Sequence, residues 1–422
     1  MTSIATTLKP SVSYVSPTRR RVLGVIFLFL AAAIWFLFAR PVESGVTTTF
    51  VLAPGGSDVP IEDWTFATSQ MLNALAFISA AMGAYQLARG FGQRANLILG
   101  LVAGMFIFSF LAWAAADNSL NIAGLLRTTL VKAIPLTLGA MSGILCERSG
   151  VINIAIEGMM LTGAFVGALI GSLTNLWIGT LAAVLAGGLL AWIHAVLSIK
   201  YKTNQIISGT VINIFSTGIT SFLSAKFLQK YQDLNRPGVF PTIRLPVLAD
   251  IPFLGPIFFQ NNMFIYVTFI LIIELTVALF YTRWGLRLRS VGEHPKAADT
   301  LGINVFTTRY VAVILGGMVA GFGGAYFTLG SVGRFDEVMT AGRGFIGLAA
   351  MLFGNYMPAG AFGASLLFGF SDSLASKLAI LGVKIPSEFL LMAPYVATMI
   401  VLAGVVGRSQ IPAADGQAYE KE

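Results

Sequence analysis

The sequence predicts an all-α polytopic membrane protein. We expect about twelve (10–12) transmembrane helices, a short half-helix near residues 342–354 and a short polar helix on the cytoplasmic side. Three observations carry this. The 422 residues are 56% hydrophobic and only 11% charged, with a mean hydropathy of +0.80, where soluble domains carry roughly a quarter charged residues. Apolar runs long enough to span a bilayer recur along the chain, separated by short charged breaks. One long polar, basic, helix-competent stretch, residues 286–303, interrupts them.

Composition also excludes several classes. The net charge of +8 reads through membrane orientation, because cytoplasmic loops collect Lys and Arg. A nucleic-acid binder would gather that charge on a polar face, and the sequence offers none. Cys146 is the single cysteine, so neither an internal disulfide nor a cysteine metal cluster is expected. His194 and His294 are too few for a histidine metal site. No Gly-Lys pair occurs, so a Walker-type nucleotide loop is absent and any ATP must be held by another polypeptide.

Residues 1–18 are Ser/Thr-rich and read as disordered, and Arg19, Arg20 and Arg21 then anchor the start of an apolar run at 22–38 on the cytoplasmic side. A signal peptide is the competing reading, but no small-x-small cleavage site follows, which favours a retained helix. The loop 41–66 carries Glu43, Asp58, Glu62 and Asp63 without Lys or Arg and suits the outside. Spans at 67–88 and 96–116 are separated by Arg89 and Arg94. A span at 122–145 contains Arg127, Lys132 and Pro135. Arg127 can snorkel to the outer surface. Lys132 lies deeper, where a charge costs roughly 2.5–3.5 kcal/mol, so it must face protein, a partner or a watery path.

Further spans are expected at 151–173, 176–199, 205–226 and 263–283. Glu147 and Arg148 mark one inside break, Lys200 and Lys202 another. Residues 227–262 hold prolines 237, 241, 246, 252 and 256, a density against any regular helix or central strand, and are expected as an ordered extended lid outside. Counting crossings places 284–305 in the cytoplasm, in agreement with Arg283, Arg287, Arg289 and Lys296. There Glu293 and Pro295 can open a helix through Lys296, Ala297, Ala298 and Asp299, with Gly302 available to end it. The alternative is a solvated basic loop that only sets orientation. After a span at 305–329, the apolar piece 345–353 is too short to cross and reads as a half-helix shielded by protein. Spans at 360–381 and 388–406, with Arg408 in a cytoplasmic tail, complete the set.

Glycines at 163, 167 and 171, and at 317 and 321, permit close helix approach. Polar residues inside the spans say more. Asn153 and Glu157, four apart, share a helix face, and Asn204, Gln205, Ser208, Thr210 and Asn213 line a second cluster. Arg343 stands at the mouth of the half-helix. Interhelical hydrogen bonding is one reading, worth about 0.6 kcal/mol per contact. The other is a polar path for a neutral hydroxylated solute, made of Asn153, Glu157, Asn204, Gln205, Ser208, Asn213 and Arg343.

Five ordered stretches, CERSGVINIAIEGMML, TNQIISG, LPVLADIPFLGPIFF, VGEHPKAADTLGINV and TAGRGFIGLAAMLFGN, resemble the permease family of bacterial ABC importers for nucleosides and simple sugars, which is ribose and branched-chain amino acid permease-like. The likeness runs over about residues 125–406, so residues 1–120 form an N-terminal extension of about three helices, 121–408 the permease core and 409–422 a tail. Within it, EHPKAADTLG resembles the coupling segment that docks on a cytoplasmic ATPase. That implies a coupling role for Glu293, His294, Pro295, Lys296, Ala297, Ala298 and Gly302. Ala297, Ala298 and Gly302 match the family's Ala-Ala-x-x-x-Gly pattern, while Lys296 replaces a Glu and His294 a frequent Asn.

The resemblance implies alternating access in a bacterial inner (plasma) membrane, with both termini cytoplasmic. It implies a separate ABC ATPase that binds ATP, a second permease subunit expected to be a paralogue, an extracytoplasmic binding lipoprotein and surrounding lipid, with no cofactor in this chain and no nucleic acid. The expected solute is a nucleoside, with pentoses, other simple sugars or a flavin as alternatives. An ion-coupled secondary transporter is the rival class, with Glu157 its one obvious carboxylate. No nucleophile–base set points to an enzyme.

Overall fold

The computed structural model describes residues 17–55, 61–380, 392 and 410–421. Of the stretch 1–18 expected to be disordered, residues 1–16 lie outside the described residues, while Pro17 and Thr18 already belong to a helix. Arg408 and, apart from Met392, the span expected at 388–406 also lie outside them. Two compact units divide between Ala123 and Gly124.

In the first unit, α1 (Pro17–Ala33) runs on as a π turn at Ile34–Ala39, followed by β1 (Thr47–Val51), β2 (Trp64–Ala67), α2 (Thr68–Ala88), α3 (Ala95–Ala114) and β3 (Ser119–Asn121). The three helices are apolar over most of their surface, as chain facing lipid must be. The strands form one sheet in the order β2-β1-β3, with β1 antiparallel to β2 and parallel to β3. Phe50 packs edge-on against Phe66 and Phe108, with ring centroids 5.2 and 5.3 Å away. This sheet was not expected from the sequence, where the loop 41–66 showed only its acidic charge.

The second unit starts within α4 (Ile122–Glu147) and continues with α5 (Ile156–Leu173), α6 (Leu176–Ala195), α7 (Gln205–Leu223), β4 (Ile243–Arg244), α8 (Leu254–Phe258), β5 (Gln260–Asn261), α9 (Met263–Tyr281), α10 (Arg283–Glu293), α11 (Pro295–Thr300), α12 (Val305–Phe327), α13 (Arg343–Phe353) and α14 (Pro358–Ile380). α6, α7 and α12 each end in a π turn. α12 packs chiefly on α6 and α5, and glycine makes the approach possible. A Cβ on Gly163 would lie 2.7 Å from the Gly321 carbonyl oxygen, and one on Gly317 would lie 2.1 Å from the Ala191 Cβ. Pro135, inside α4, has no N–H for the Val131 carbonyl, and the Tyr326 hydroxyl of α12 donates to that oxygen at 2.9 Å instead.

Nine helices among the described residues are long and apolar enough to cross a membrane, and α14 adds a more polar 23-residue helix. The chain is therefore an all-α multi-pass membrane protein. Three boundaries differ from expectation. Residues 151–155 are not helical, so α5 starts five residues late. The expected span 263–283 breaks at Thr282, whose hydroxyl caps a second helix, α10, by accepting from Gly285 N–H at 3.1 Å. Residues 227–262 fold into turns, a two-strand ladder and the single helical turn α8, which admits Pro256 in its first turn, rather than lying extended.

Candidate functional site: a broken-helix junction and an exposed helix pair

The break before α5 strips backbone groups of helical partners inside an apolar bundle, where each unpaired group is costly. Side chains from α6 and α7 replace them. Gln205 Oε1 accepts from Ile152 N–H at 2.7 Å. His194, fully buried, donates through Nε2 to the Ile152 carbonyl at 2.9 Å, which leaves Nδ1 to accept from the Ser208 hydroxyl at 3.1 Å. Asn213 donates to the Ile154 carbonyl at 2.9 Å and accepts from Gly158 N–H at 2.8 Å. Asn153 accepts from Ala155 N–H at 3.0 Å, and its amide nitrogen sits 3.3 Å from Cys146 Sγ. Asn204 caps α7 by accepting from Ile206 and Ile207 N–H.

The second discontinuity, α13, meets the first. Both oxygens of buried Glu157 accept backbone hydrogen bonds at its start, from Gly342 N–H at 2.8 Å and Gly344 N–H at 2.6 Å. A carboxylate suits the positive end of a helix. The Arg343 guanidinium turns back to the Met339 and Thr340 carbonyls at 3.4 and 3.5 Å and lies 5.6 Å from the Phe327 ring centroid. Asn153, Glu157, Gln205, Ser208 and Asn213 thus converge on one junction, with Asn204 and Arg343 at its edges.

Sequence reasoning missed His194 in this junction, although a lone histidine in an apolar run is itself a signal. It also left Lys132 without a partner. Lys132 Nζ lies 3.2 Å from Asp372 Oδ1 of α14 and donates to Ser376 Oγ at 2.9 Å. Arg127 donates to the Gln260 carbonyl at 3.1 Å.

At the end of the unit where α4 finishes, α10 and α11 stand as a helix pair. His294 caps α11 by accepting from Ala297 N–H at 3.3 Å, Pro295 occupies the first turn, and Gly302 takes the left-handed φ of +81° that ends it. Ala298 is buried, while Glu293, His294, Lys296, Ala297 and Gly302 are exposed and Pro295 is half-buried. Beside the pair lies a groove of ≈ 750 Å³ flanked by Leu286 and Leu301, which are 62% and 81% exposed. Arg148, just after α4, donates to the Tyr356 carbonyl at 3.2 Å and lies 5.5 Å from the Phe280 ring centroid. Burial, and then Arg289, pull its pKa below the usual arginine value.

Residues 125–406 match the family described as branched-chain amino acid transport system / permease component. The chain belongs to this family. It is 43% identical to the guanosine ABC transporter permease protein NupQ of Bacillus subtilis, across 69% of this chain and 95% of the relative. It is 41% identical to the nucleoside ABC transporter permease protein NupC of Lactococcus lactis, across 72% and 98%. TsgC13 of Haloferax volcanii, named provisionally as a glucose ABC transporter permease protein, is 34% identical across 71% and 98%. A second guanosine permease protein of the same Bacillus strain, NupP, matches at 24% identity across 65% and 82%, so relatives of this family member come in pairs. No solved structure matches the chain significantly. The family's work is permeation, so this member is a membrane path and not an enzyme.

Proposed function

We propose that this chain is a membrane-spanning subunit of an ABC importer that carries nucleosides inward across a bacterial inner membrane. The observation that supports it most is a single unit holding both a broken-helix junction and an exposed helix pair. The first is what alternating access needs inside the bilayer, and the second is what an external motor needs to push.

In this reading the end of the unit carrying α10 and α11 is cytoplasmic, as are both termini. Glu293, His294, Pro295, Lys296, Ala297, Ala298 and Gly302 form the coupling surface for a separate ATPase, with Leu286 and Leu301 as apolar anchors. The groove of ≈ 470 Å³ at the opposite end, lined by Gln229, Gln232, Arg236, Arg334 and Asp336 among others, receives the solute-loaded binding lipoprotein. A second permease completes the path, and Asn153, Glu157, Asn204, Gln205, Ser208, Asn213 and Arg343 set its polarity and shape. They act by holding α5, α7 and α13 in register. ATP closure of the motor shifts the helix pair, and the broken segments let α5 and α13 move without unwinding whole helices.

The assembled complex in proteoliposomes is expected to accumulate radiolabelled guanosine only with ATP on the motor side. Uptake that persists without ATP, driven by a proton or sodium gradient alone, overturns the reading.

A further inference from the structure

Residues 410–421 contain only short turns, yet they cross the face that presents α10 and α11. Gln410 N–H donates to Asn355 Oδ1 at 2.8 Å, Ala413 N–H to Glu293 Oε2 at 3.2 Å, and Ala414 N–H to the Gly292 carbonyl at 2.9 Å. The Tyr419 hydroxyl donates to Asp299 of α11 at 2.9 Å, and its ring packs on Phe306. Arg309 of α12, 2% exposed, donates to the Gln417 and Ser149 carbonyls at 2.9 and 3.2 Å. One short segment therefore ties α10, α11 and α12 to the turns that follow α4 and α13.

At its centre the Asp415 carboxyl faces that of Glu147, the last residue of α4, within hydrogen-bonding reach. Arg309 faces the pair from α12, Cys146 from α4, Arg148 and Tyr356 from the neighbouring turns, and Tyr419 from the segment itself. Glu293 and Arg289 of α10 reach it through Arg148. Asp415 Oδ1 and Arg309 Nη2 are buried without hydrogen-bond partners among the described residues. Burial raises the Asp415 pKa to about 7, against the opposing pull of Gly416 N–H and Arg309.

The geometry points to a proton-dependent strap: residues 410–421 pin α10 and α11 to the spanning helices while Glu147 and Asp415 share a proton, and loosen when that proton leaves. Two carboxyl groups closed off from water cannot both ionise cheaply, whereas a released Asp415 ionises freely near its ordinary value. The docked state therefore binds more protons than the released one. Its docking advantage is complete below the released pKa and is lost as pH rises through the docked value. Between pH 6 and pH 8 the ratio of docked to released strap falls about tenfold.

The strap rests on the reading of α10 and α11 as the motor contact, and the test separates the two. Spin labels at Ala418→Cys and Thr307→Cys, both exposed positions, report the strap-to-α12 distance in the complete complex in proteoliposomes. One short distance population is expected at pH 6 and a second, longer one at pH 8. Asp415→Asn cannot ionise and keeps the short population at both values. Glu147→Gln, whose amide donates to an ionised Asp415, flattens the response as a second, independent variant. An unchanged distribution between pH 6 and pH 8, or a variant that loosens as the parent does, overturns the strap. Co-purification of the ATPase with each sample shows whether the motor contact itself is intact, whichever way the distances move.

Discussion

Glu157 of α5 and Gly344 of α13 are joined by a hydrogen bond of 2.6 Å, and the same carboxylate takes Gly342 N–H at 2.8 Å. A Cβ on Gly344 would lie 2.7 Å from the Glu157 Cα, so the two broken segments touch backbone to backbone. A helix that does not cross the membrane is thereby held by one acidic side chain from a helix that starts late.

Glu157→Ala leaves the buried Gly344 N–H unpaired, at a cost of about 1–3 kcal/mol, together with the half-buried Gly342 N–H. Nucleoside uptake is expected to fall at least tenfold while the complex still co-purifies, and Glu157→Gln, with one acceptor left, lies between. Uptake at the parent rate in the alanine variant would show that the bond does not govern transport.

Lys132 and Asp372 pair within the membrane, so removing one leaves an uncompensated charge. Lys132→Met is expected to cost about 1.5–3 kcal/mol, and Lys132→Met with Asp372→Leu to recover most of it. Thermal unfolding in detergent reads both. A double variant no more stable than the single one contradicts a coupled pair.

His194→Phe fills the volume but strands the Ile152 carbonyl and the Ser208 hydroxyl. Chemical denaturation should register a loss of about 2–5 kcal/mol. His194→Gln, which can still donate, should retain part of it. A phenylalanine variant as stable as the parent would mean that water satisfies the break.

Gly302 ends α11 at a φ of +81° with open space around it. Gly302→Arg strains that turn and projects a bulky cation beside Leu301. The ATPase should no longer co-purify, although the spanning helices keep their helical circular dichroism. An intact complex would move the motor contact elsewhere on the face.

Much of the fold is legible along the chain, because lipid demands long apolar runs and each is visible locally. Pro295, Ala297, Ala298 and Gly302 likewise announce α11, since capping and turn rules act within a few residues. The start of α5 is not legible in this way. Residues 151–155 read as apolar and helical, and only His194, Gln205 and Asn213, distant in sequence, make the break affordable. Lys132 shows the same limit: the sequence states that a buried charge needs an answer, and α14 supplies it 240 residues later.

The sequence by itself determined that this protein is a helical membrane path with a short capped helix between spans, because hydropathy and capping are properties of neighbours. Only the tertiary structure decided what the buried polar side chains hold, that Glu157 is spent on the backbone of α13, and that residues 410–421 lie across α10 and α11. Hydrogen bonds between distant segments depend on which helices pack together, and that is settled by the whole bundle at once.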